Sequence, residues 1–453
     1  MPKILNDITT TLLDAFLADK RQSLGLPGLA VAIVRDSELL YAQGLGNAVA
    51  GRAMTVHTPL IIGSLSKSFT AIAVMQLVGA GKLDLDVPVQ RYIPFCLADP
   101  VAAATITTRH LLTHTSGIST YAGRELLGGS GDKTIEQSVY ALRTLKLTQP
   151  VGKAFQYSNT NYLIAGLIIE LVAGQTYASY IQERIFTPLG MSHSYTSERE
   201  AEGLAAGYRW WFGMPLPGRV PYLHDALPAA FLISSADDMA RYLIACLDAD
   251  ETLLSPTGFA ELFRPQVPTA NAGSSYTLGW RRSQLDGMPV IFHTGEVANF
   301  RCEMLLLPEQ RTGIVVLANC NNGLIADLSL DRIVPGIVSI LQGRQAETRK
   351  LTLRRLYLIL NITLGFLTVL QAAWTWRVVR AKKHASTGSL LGMLADIVVP
   401  IAAIKVLPRV FDAPWSLLRF YVPDITVWLY CVIVPFSFLR LIFRRAMLLV
   451  RRH

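Results

Sequence analysis

The sequence predicts an α+β domain over residues 1–343, followed by a membrane domain over residues 344–453. Strand-like apolar runs lie near both ends of the first part, at residues 28–34, 38–44, 290–293, 303–307 and 314–317. Helical patterns dominate the region between them, at residues 64–81, 160–173 and 236–247. This order implies one sheet that is assembled from both ends of the domain, with a helical insert between its early and late strands.

The first two strand-like runs are expected to form a hairpin. Arg35, Asp36 and Ser37 separate them, and a short polar break between two apolar runs is typical of a tight turn. The last two runs are joined through Pro308 and Gly313, which favour a turn. Both ends of the domain therefore supply strands that can pair.

Three apolar runs close the sequence. They span residues 356–376, 389–407 and 421–443. A helix rises about 1.5 Å per residue, so each run can cross a hydrocarbon core about 30 Å thick. The second run contains Asp396, Pro400 and Lys405, which leaves an interfacial or re-entrant segment as its alternative.

The formal net charge of +9 is concentrated in the apolar tail. From Arg344 onward there are 17 Lys and Arg against 4 Asp and Glu, which leaves residues 1–343 at about −4. Basic residues beside apolar runs are typical of the flanks of membrane helices. The charge therefore predicts a lipid bilayer as a partner and argues against nucleic acid.

The basic flanks also predict an orientation. Four basic residues follow the first run at 377–383, and four follow the third at 444–452. Under the positive-inside rule, three crossings then place the first domain outside the cell, in a multi-pass protein of the cell membrane. Four basic residues at 349–355 favour the opposite orientation. Residues 1–20 have no apolar signal-peptide core, so export would need an upstream start or the first membrane helix, and a cytoplasmic domain is the alternative.

Cysteine usage predicts neither a disulfide framework nor a metal site. The five cysteines are odd in number and widely spaced, and no CxxC pair occurs among them. Disulfide-rich domains and zinc sites both require closer and more regular spacing. We therefore expect no metal and no organic cofactor.

The segment Gly63-Ser64-Leu65-Ser66-Lys67 opens an amphipathic helical pattern and supplies a candidate nucleophile. Residues three apart share a helix face, so Lys67 can stand beside the Ser64 hydroxyl and act as its base. A lysine in the first turn lies at the positive end of the helix dipole, which should lower its pKa. The alternative, a simple helix cap, would favour Glu or Gln rather than Lys at the fourth position.

Tyr157 and Asn159 form a second candidate element. Both stand just before a helical pattern, where side chains can project from a turn into a cleft. A tyrosine can relay a proton, and an asparagine amide can donate to a substrate carbonyl. The alternative is a buried tyrosine beside a helix-capping asparagine.

A third candidate element, His293-Thr294-Gly295-Glu296, follows a late strand. A glycine at this point lets the strand approach a ligand closely. The next backbone N–H can then face a developing oxyanion. In isolation the segment would be an ordinary turn.

In this order and spacing, the three elements resemble the serine hydrolase superfamily of class C β-lactamases, penicillin-binding D,D-peptidases and related esterases. The resemblance covers roughly residues 25–340 and includes further segments at 111–117, 187–191 and 235–240. It implies a β-lactamase/transpeptidase-like domain with an antiparallel sheet.

The resemblance also implies a role for each candidate residue. Ser64 would be the nucleophile, with Lys67 as its base and Tyr157 as the second proton-transfer group. The substrate contacts and oxyanion-hole donors that it implies are Asn159, His293, Thr294, and the backbone N–H groups of Ser64 and Glu296.

The predicted function is hydrolysis of an amide or ester through a covalent acyl-Ser64 intermediate. The resemblance implies peptidoglycan stem peptides, β-lactams or small carboxylic esters as substrates. The alternative is a sensor or binding module that becomes acylated but hardly deacylates. One acyl group per protein without turnover would favour the sensor.

His293 stands where the penicillin-recognising relatives have lysine, which leads to an expectation about substrate charge. A histidine with a reference pKa of about 6.5 is mostly neutral at pH 7.5. Its attraction for a substrate carboxylate should therefore be weak and should return as the pH falls. On this argument, a neutral ester should be a better substrate than a β-lactam.

Overall fold

The computed structural model describes residues 6–129, 131, 133–321, 332–346, 353–380 and 387–449, without the side chains of residues 387–390 and 447–449. Within these ranges, the chain forms a nine-stranded antiparallel sheet with helices on both faces, followed by a group of long C-terminal helices. The predicted α+β fold class is confirmed.

Fourteen strands occur in the described ranges, and nine of them form the main sheet in the order β3-β2-β1-β13-β12-β11-β10-β9-β8. In chain order, the strands are β1 Gly28–Arg35, β2 Glu38–Val49, β3 Arg52–Ala53, β4 Leu60–Ile61, β5 Tyr208–Trp211, β6 Met214–Pro217, β7 Ile233–Ser234, β8 Val267–Pro268, β9 Ser275–Tyr276, β10 Arg281–Leu285, β11 Met288–Val297, β12 Phe300–Leu307, β13 Thr312–Ala318 and β14 Cys320–Asn321.

The two ends of the domain meet in the middle of this sheet. β1 pairs with β13 so that Leu29 lies opposite Ala318 and Arg35 lies opposite Thr312. Nearly every residue of both strands is buried, because helices cover the two faces and favour continuous apolar runs. The prediction of a sheet built from both ends is therefore confirmed.

Two tight hairpins set the register of the sheet edges. The first turn is Asp36-Ser37, and both residues have positive φ (50° and 68°). The second turn, Asp286-Gly287, has φ values of 51° and 79° and joins β10 to β11. Consecutive positive φ angles match the strand twist in two-residue hairpins. The hairpin predicted at residues 28–44 is confirmed.

The helices fall into a central insert, a layer on the opposite face of the sheet and a C-terminal group. The α-helices are Asp7–Ser23, Ser66–Gly79, Pro100–Ala103, Thr108–Leu112, Thr120–Leu126, Ile135–Tyr140, Asn159–Ala173, Tyr177–Ile181, Ala236–Asp248, Pro256–Phe263, Ile333–Leu341, Leu353–Arg380, Thr387–Val410, Trp415–Tyr421, Pro423–Trp428 and Val434–Leu449.

The helix Ser66–Gly79 is central to the insert. Every residue from Ser66 to Met75 is buried, because the helix is surrounded by other helices and the end of the sheet. A helix buried on all sides carries no polar face, so the expectation of an amphipathic helix here was wrong. Its polar residues are retained for hydrogen bonding rather than for solvation.

Three C-terminal helices fit membrane spans by length and composition. They cover Leu353–Arg380, Leu391–Val410 and Pro423–Ala446, close to the three predicted runs. The Asp396 charge in the second span is paired, because its carboxylate lies 2.6 Å from Arg440 Nε and 3.1 Å from Arg444 Nε. Buried pairing of this kind is how ionisable residues persist in membrane helices.

The first span contacts the soluble domain through the β5–β6 hairpin. The ring of Trp210 stacks on that of Tyr357, with centroids 5.7 Å apart. Asn361 Nδ2 donates to the Phe212 carbonyl at 3.0 Å. The helix Leu353–Arg380 therefore packs directly against the β5–β6 hairpin.

Candidate active site

Ser64 lies in a single 3₁₀ turn, Gly63–Leu65, which leads directly into the helix Ser66–Gly79. This turn is in backbone contact with the end of β11. A Cβ added at Gly63 would lie 2.2 Å from Glu296 N, and one added at Gly295 would lie 2.1 Å from Ile62 O. Only glycine permits this approach, which brings the Glu296 N–H towards Ser64.

Lys67 is fully buried beneath Ser64. Its Nζ lies 3.0 Å from Ser64 Oγ, 2.7 Å from Asn159 Oδ1 and 2.7 Å from the Ala229 carbonyl oxygen. Burial holds the pKa of Lys67 well below its usual value, and the positive charge of Arg281 lowers it further. Burial and Arg281 thus both favour the neutral amine over the ammonium.

In the neutral form of Lys67, its three partners leave the amine lone pair for Ser64. Two of them, the Asn159 side-chain oxygen and the Ala229 carbonyl, can only accept hydrogen bonds. They take the two hydrogens of the neutral amine. The lone pair then faces the Ser64 hydroxyl, which can donate as well as accept. The geometry orients a base towards the serine proton.

Tyr157 lies on the other side of Ser64. Its phenol hydrogen-bonds with the Ser64 side chain. Burial raises the pKa of the phenol to about 12, although that hydrogen bond and the charge of Arg281 each lower the pKa. At pH 7 only about one molecule in 10⁵ would carry the phenolate. Tyr157 is thus suited to donate a proton, and Lys67 to accept one.

The Asn159 side chain is held at both of its polar atoms. Its oxygen accepts from Lys67, and its Nδ2 donates to the Gly123 carbonyl at 3.1 Å. An amide nitrogen carries two hydrogens, so the Gly123 contact leaves one for a substrate carbonyl. Asn159 therefore positions Lys67 in addition to facing the cleft.

His293 is only 1% exposed, and its surroundings agree with the expected neutral imidazole but not with the expected gain of charge as the pH falls. Nδ1 lies 2.7 Å from the Thr294 carbonyl and so carries the proton, while Nε2 lies 3.1 Å from Tyr276 Oη and accepts. Burial lowers the pKa of His293 well below 6.5, and Arg281 and Lys67 lower it further. Mild acidification will not make it a cation.

Besides Arg124, the cleft contains the cation Arg281, which the sequence analysis also missed. It lies at the start of β10, opposite Phe292 of β11, and its guanidinium sits 5.6 Å from the centroid of Tyr276 and 5.7 Å from that of Tyr157. An arginine is charged at any working pH. Arg281 can therefore supply the positive charge that His293 lacks, and the expected preference for a neutral ester stays a prediction. The Asp286-Gly287 pair was a usable signal, since it predicts the hairpin that places Arg281 beside His293.

Thr294 and Glu296 complete the end of β11. The Glu296 carboxylate accepts from Arg301 Nη1 at 2.9 Å, so its charge is compensated. Thr294 is partly exposed and faces the cleft. The structure thus brings the end of this strand to the same place as Ser64.

All of these groups surround one cleft of about 370 Å³. Of the predicted site residues, Lys67 alone lies beneath the cleft wall and the other six line it. The lining residues are Ser64, Thr120, Arg124, Leu127, Tyr157, Asn159, Arg281, His293, Thr294, Glu296, Phe411, Ala413, Leu417, Leu418, Tyr421 and Val422. The last six come from the C-terminal region and were not predicted from the sequence.

A larger groove of about 1230 Å³ lies at the far end of the Ser64 helix, and none of the predicted site residues lines it. In the described part of the chain, no group of three or more His, Cys, Asp or Glu side chains could hold a metal ion. The chemistry available in the smaller cleft is that of a serine, an amine, a phenol and backbone N–H groups.

Comparison with known proteins agrees with this geometry. The family model described as Beta-lactamase matches residues 13–333. The chain belongs to the β-lactamase family. Members of this family are serine hydrolases, and the matched region contains every predicted site residue.

Two curated relatives and one solved structure illustrate the range of the β-lactamase family around this chain. Protein flp of Staphylococcus aureus (strain NCTC 8325 / PS 47) is 28% identical over 328 residues, covering 70% of this chain and 64% of its own length. Penicillin-binding protein 4 of Amycolatopsis lactamdurans is 31% identical over 323 residues, covering 68% and 84%. The chain thus spans about two thirds of the first of these relatives.

The solved structure is the octameric penicillin-binding protein homologue from Pyrococcus abyssi. It is 28% identical, has a TM-score of 0.68 and covers 76% of this chain and 79% of its own.

Proposed function

We propose that this protein is a membrane-anchored serine hydrolase that cleaves an ester or amide through an acyl-Ser64 intermediate. The observation that carries the proposal is the buried amine of Lys67, whose Nζ lies 3.0 Å from Ser64 Oγ. Burial and Arg281 both favour its neutral form. A serine hydroxyl beside a neutral amine is an activated nucleophile, because the amine can take its proton.

In the proposed acylation step, Ser64 Oγ attacks the substrate carbonyl carbon while its proton passes to Lys67 Nζ. The carbonyl oxygen becomes an oxyanion that accepts from the backbone N–H groups of Ser64 and Glu296. Collapse of the tetrahedral intermediate breaks the bond to the leaving group, which takes its proton from the Tyr157 phenol. The Lys67 ammonium then returns a proton to Tyr157.

In deacylation, water attacks the acyl-Ser64 carbonyl and gives up a proton to the neutral Lys67. The same N–H groups stabilise the second oxyanion. Ser64 leaves with the proton that Lys67 has taken up, so the enzyme returns to its starting state. No external oxidant, reductant or cofactor enters this balance.

Arg281 widens the range of proposed substrates. Its permanent charge in the cleft can attract a carboxylate of a β-lactam or a peptide, and a neutral ester needs no such attraction. The relatives include a protein named as a penicillin-binding protein. We therefore propose small-molecule or peptide substrates, including cell-wall peptides.

We further propose that residues 1–343 form the hydrolase domain and residues 344–453 a membrane anchor, with the hydrolase outside the cell. Three helices of suitable length and composition support the anchor. Digestion of spheroplasts with an external protease should release the hydrolase domain. Protection until lysis would mean that it faces the cytoplasm.

The test of the hydrolase is turnover by the purified full-length chain in lipid nanodiscs. A nitrophenyl ester, a D-Ala-D-Ala peptide and a β-lactam are the substrates, and Ser64→Ala is the control. Steady release of many products per protein supports the proposal. Release that stops after one acyl group per protein would support the acylated sensor instead.

A further inference from the structure

One wall of the cleft is supplied by the segment between the second and third spans, here called the roof segment (residues 411–422). The second span ends at Val410 and the third begins at Pro423. The cleft-lining residues of the roof segment are Phe411, Ala413, Leu417, Leu418, Tyr421 and Val422. Most of these side chains are apolar, whereas the opposite wall contains the serine, the phenol and the cations.

Specific contacts hold the roof segment over the site. Arg124, which also lines the cleft, donates from Nη1 to the Phe411 carbonyl. Tyr421 Oη donates at 3.5 Å to the carbonyl of Glu296, the residue whose N–H faces Ser64. A Cβ at Gly128 would lie 2.2 Å from Ser416 Oγ, so the Ser416 side chain packs closely on Gly128. The roof segment therefore lies against the catalytic wall itself.

The roof segment also belongs to the membrane domain. Trp415 Nε1 donates to the carbonyl of Ile404 in the second span at 2.8 Å. The chain crosses the membrane in the first span and crosses back in the second. The roof segment follows the second crossing, so it emerges on the same side as the hydrolase domain. A connection of 12 residues between two spans must lie at the level of the lipid headgroups. The cleft accordingly opens at the membrane surface.

We propose that the roof segment selects an amphiphilic substrate from the bilayer, namely an ester or amide with a long apolar chain. This inference rests on the proposed hydrolase function. The acyl chain of the substrate would lie against Leu417 and Leu418, which line the cleft, and its carbonyl would reach Ser64. A mostly apolar wall facing a few polar groups is the usual composition of a site that takes such a ligand.

The first test compares a dodecanoyl with a butyryl nitrophenyl ester, using the full-length chain in nanodiscs. Leu417→Ser and Leu418→Ser should each lower the ratio of kcat/KM for the long ester over the short one by about tenfold, because each removes one leucine contact with the chain. The long-ester rate should follow its mole fraction in the bilayer, not its bulk concentration. Phe420→Ser is the matched control, since Phe420 lies on the same helix but does not line the cleft.

An unchanged ratio in both leucine variants would overturn the inference, as would an equal fall in the control. A second readout does not depend on turnover. Ser64→Ala protein in nanodiscs is irradiated with a dodecanamide that carries a diazirine at the end of its chain, and adducts are expected within residues 411–422. Adducts confined to the lipid-facing sides of the spans would overturn the inference. Adducts in the roof segment without any ester turnover by the wild type would overturn the hydrolase proposal alone.

Discussion

Replacing Arg281 with glutamine should move the acid limb of the pH–rate profile to higher pH by about one unit. Lys67 Nζ lies 4.9 Å, and Arg281 Cζ 5.7 Å, from the ring centroid of Tyr157, so the two groups are at most about 11 Å apart. At that distance and an effective dielectric constant of ~20, the repulsion between two charges is about 1.5 kcal/mol, or about one pKa unit.

The direction follows from the charge of each state. Arg281 disfavours protonated Lys67 and so lowers its pKa. Removing the guanidinium stabilises the ammonium, raises the pKa and leaves less neutral base at a given pH. The rate loss should therefore be largest at acidic pH and should disappear once the pH exceeds the new pKa.

The assay is kcat/KM for a neutral butyryl nitrophenyl ester between pH 5 and pH 10, because a neutral ester reports the base and not substrate attraction. Arg281→Lys keeps the charge and should keep the wild-type limb. Arg282→Gln removes an exposed charge next to it on β10 and should also leave the limb in place. Coincident limbs for wild type and Arg281→Gln would refute the assignment of Lys67 as the base that Arg281 tunes.

Three further outcomes are expected. His293 should show a protonated Nδ1, an unprotonated Nε2 and no titration between pH 8 and pH 6 in ¹⁵N NMR, because burial lowers its pKa; a midpoint near 6.5 would contradict this. Gly295→Ala should lower kcat by about 100-fold, because the added Cβ would displace the proposed oxyanion donor. Gly79→Ala is the control, since Gly79 faces open space, and it should not change kcat. Equal kcat values for the two variants would refute the role of the close contact at Gly295. A chain truncated after Gly343 should fold and hydrolyse the butyryl ester, because the last helix of the domain ends at Leu341. If the truncated chain shows no cooperative unfolding transition, the three spans belong to the folding core.

The sheet could be predicted because its signals are local. The apolar runs of β1 and β13 are continuous, and the Asp36-Ser37 turn marks the first hairpin within the sequence itself. The candidate site residues lie in three short segments, each beside a helix or a strand. The order and spacing of these segments along the chain were enough to group the residues into one site. The three membrane runs were visible for the same reason, since length and apolar composition suffice.

What the sequence could not supply depends on burial and on distant contacts. His293 was correctly expected to be neutral at pH 7.5, but the expected gain of charge at lower pH was wrong. Desolvation and Arg281 hold its pKa well below the ordinary value, and neither is encoded at position 293. The helix that follows Ser64 was expected to have a polar face, but tertiary packing buries it. The roof segment is more than 280 residues from Arg124 in the chain, and no local pattern indicates which surface such a segment covers.

The most direct measurement of the central claim is the site of covalent labelling by a fluorophosphonate, located by peptide mass spectrometry. Ser66 and Ser68 are buried, and their hydroxyls donate to the carbonyls of Gly63 and Leu65, so neither can compete as a nucleophile. The account predicts one adduct per chain on Ser64 and none in Ser64→Ala. An adduct on Ser66 or Ser68, or equal labelling of Ser64→Ala, would contradict it.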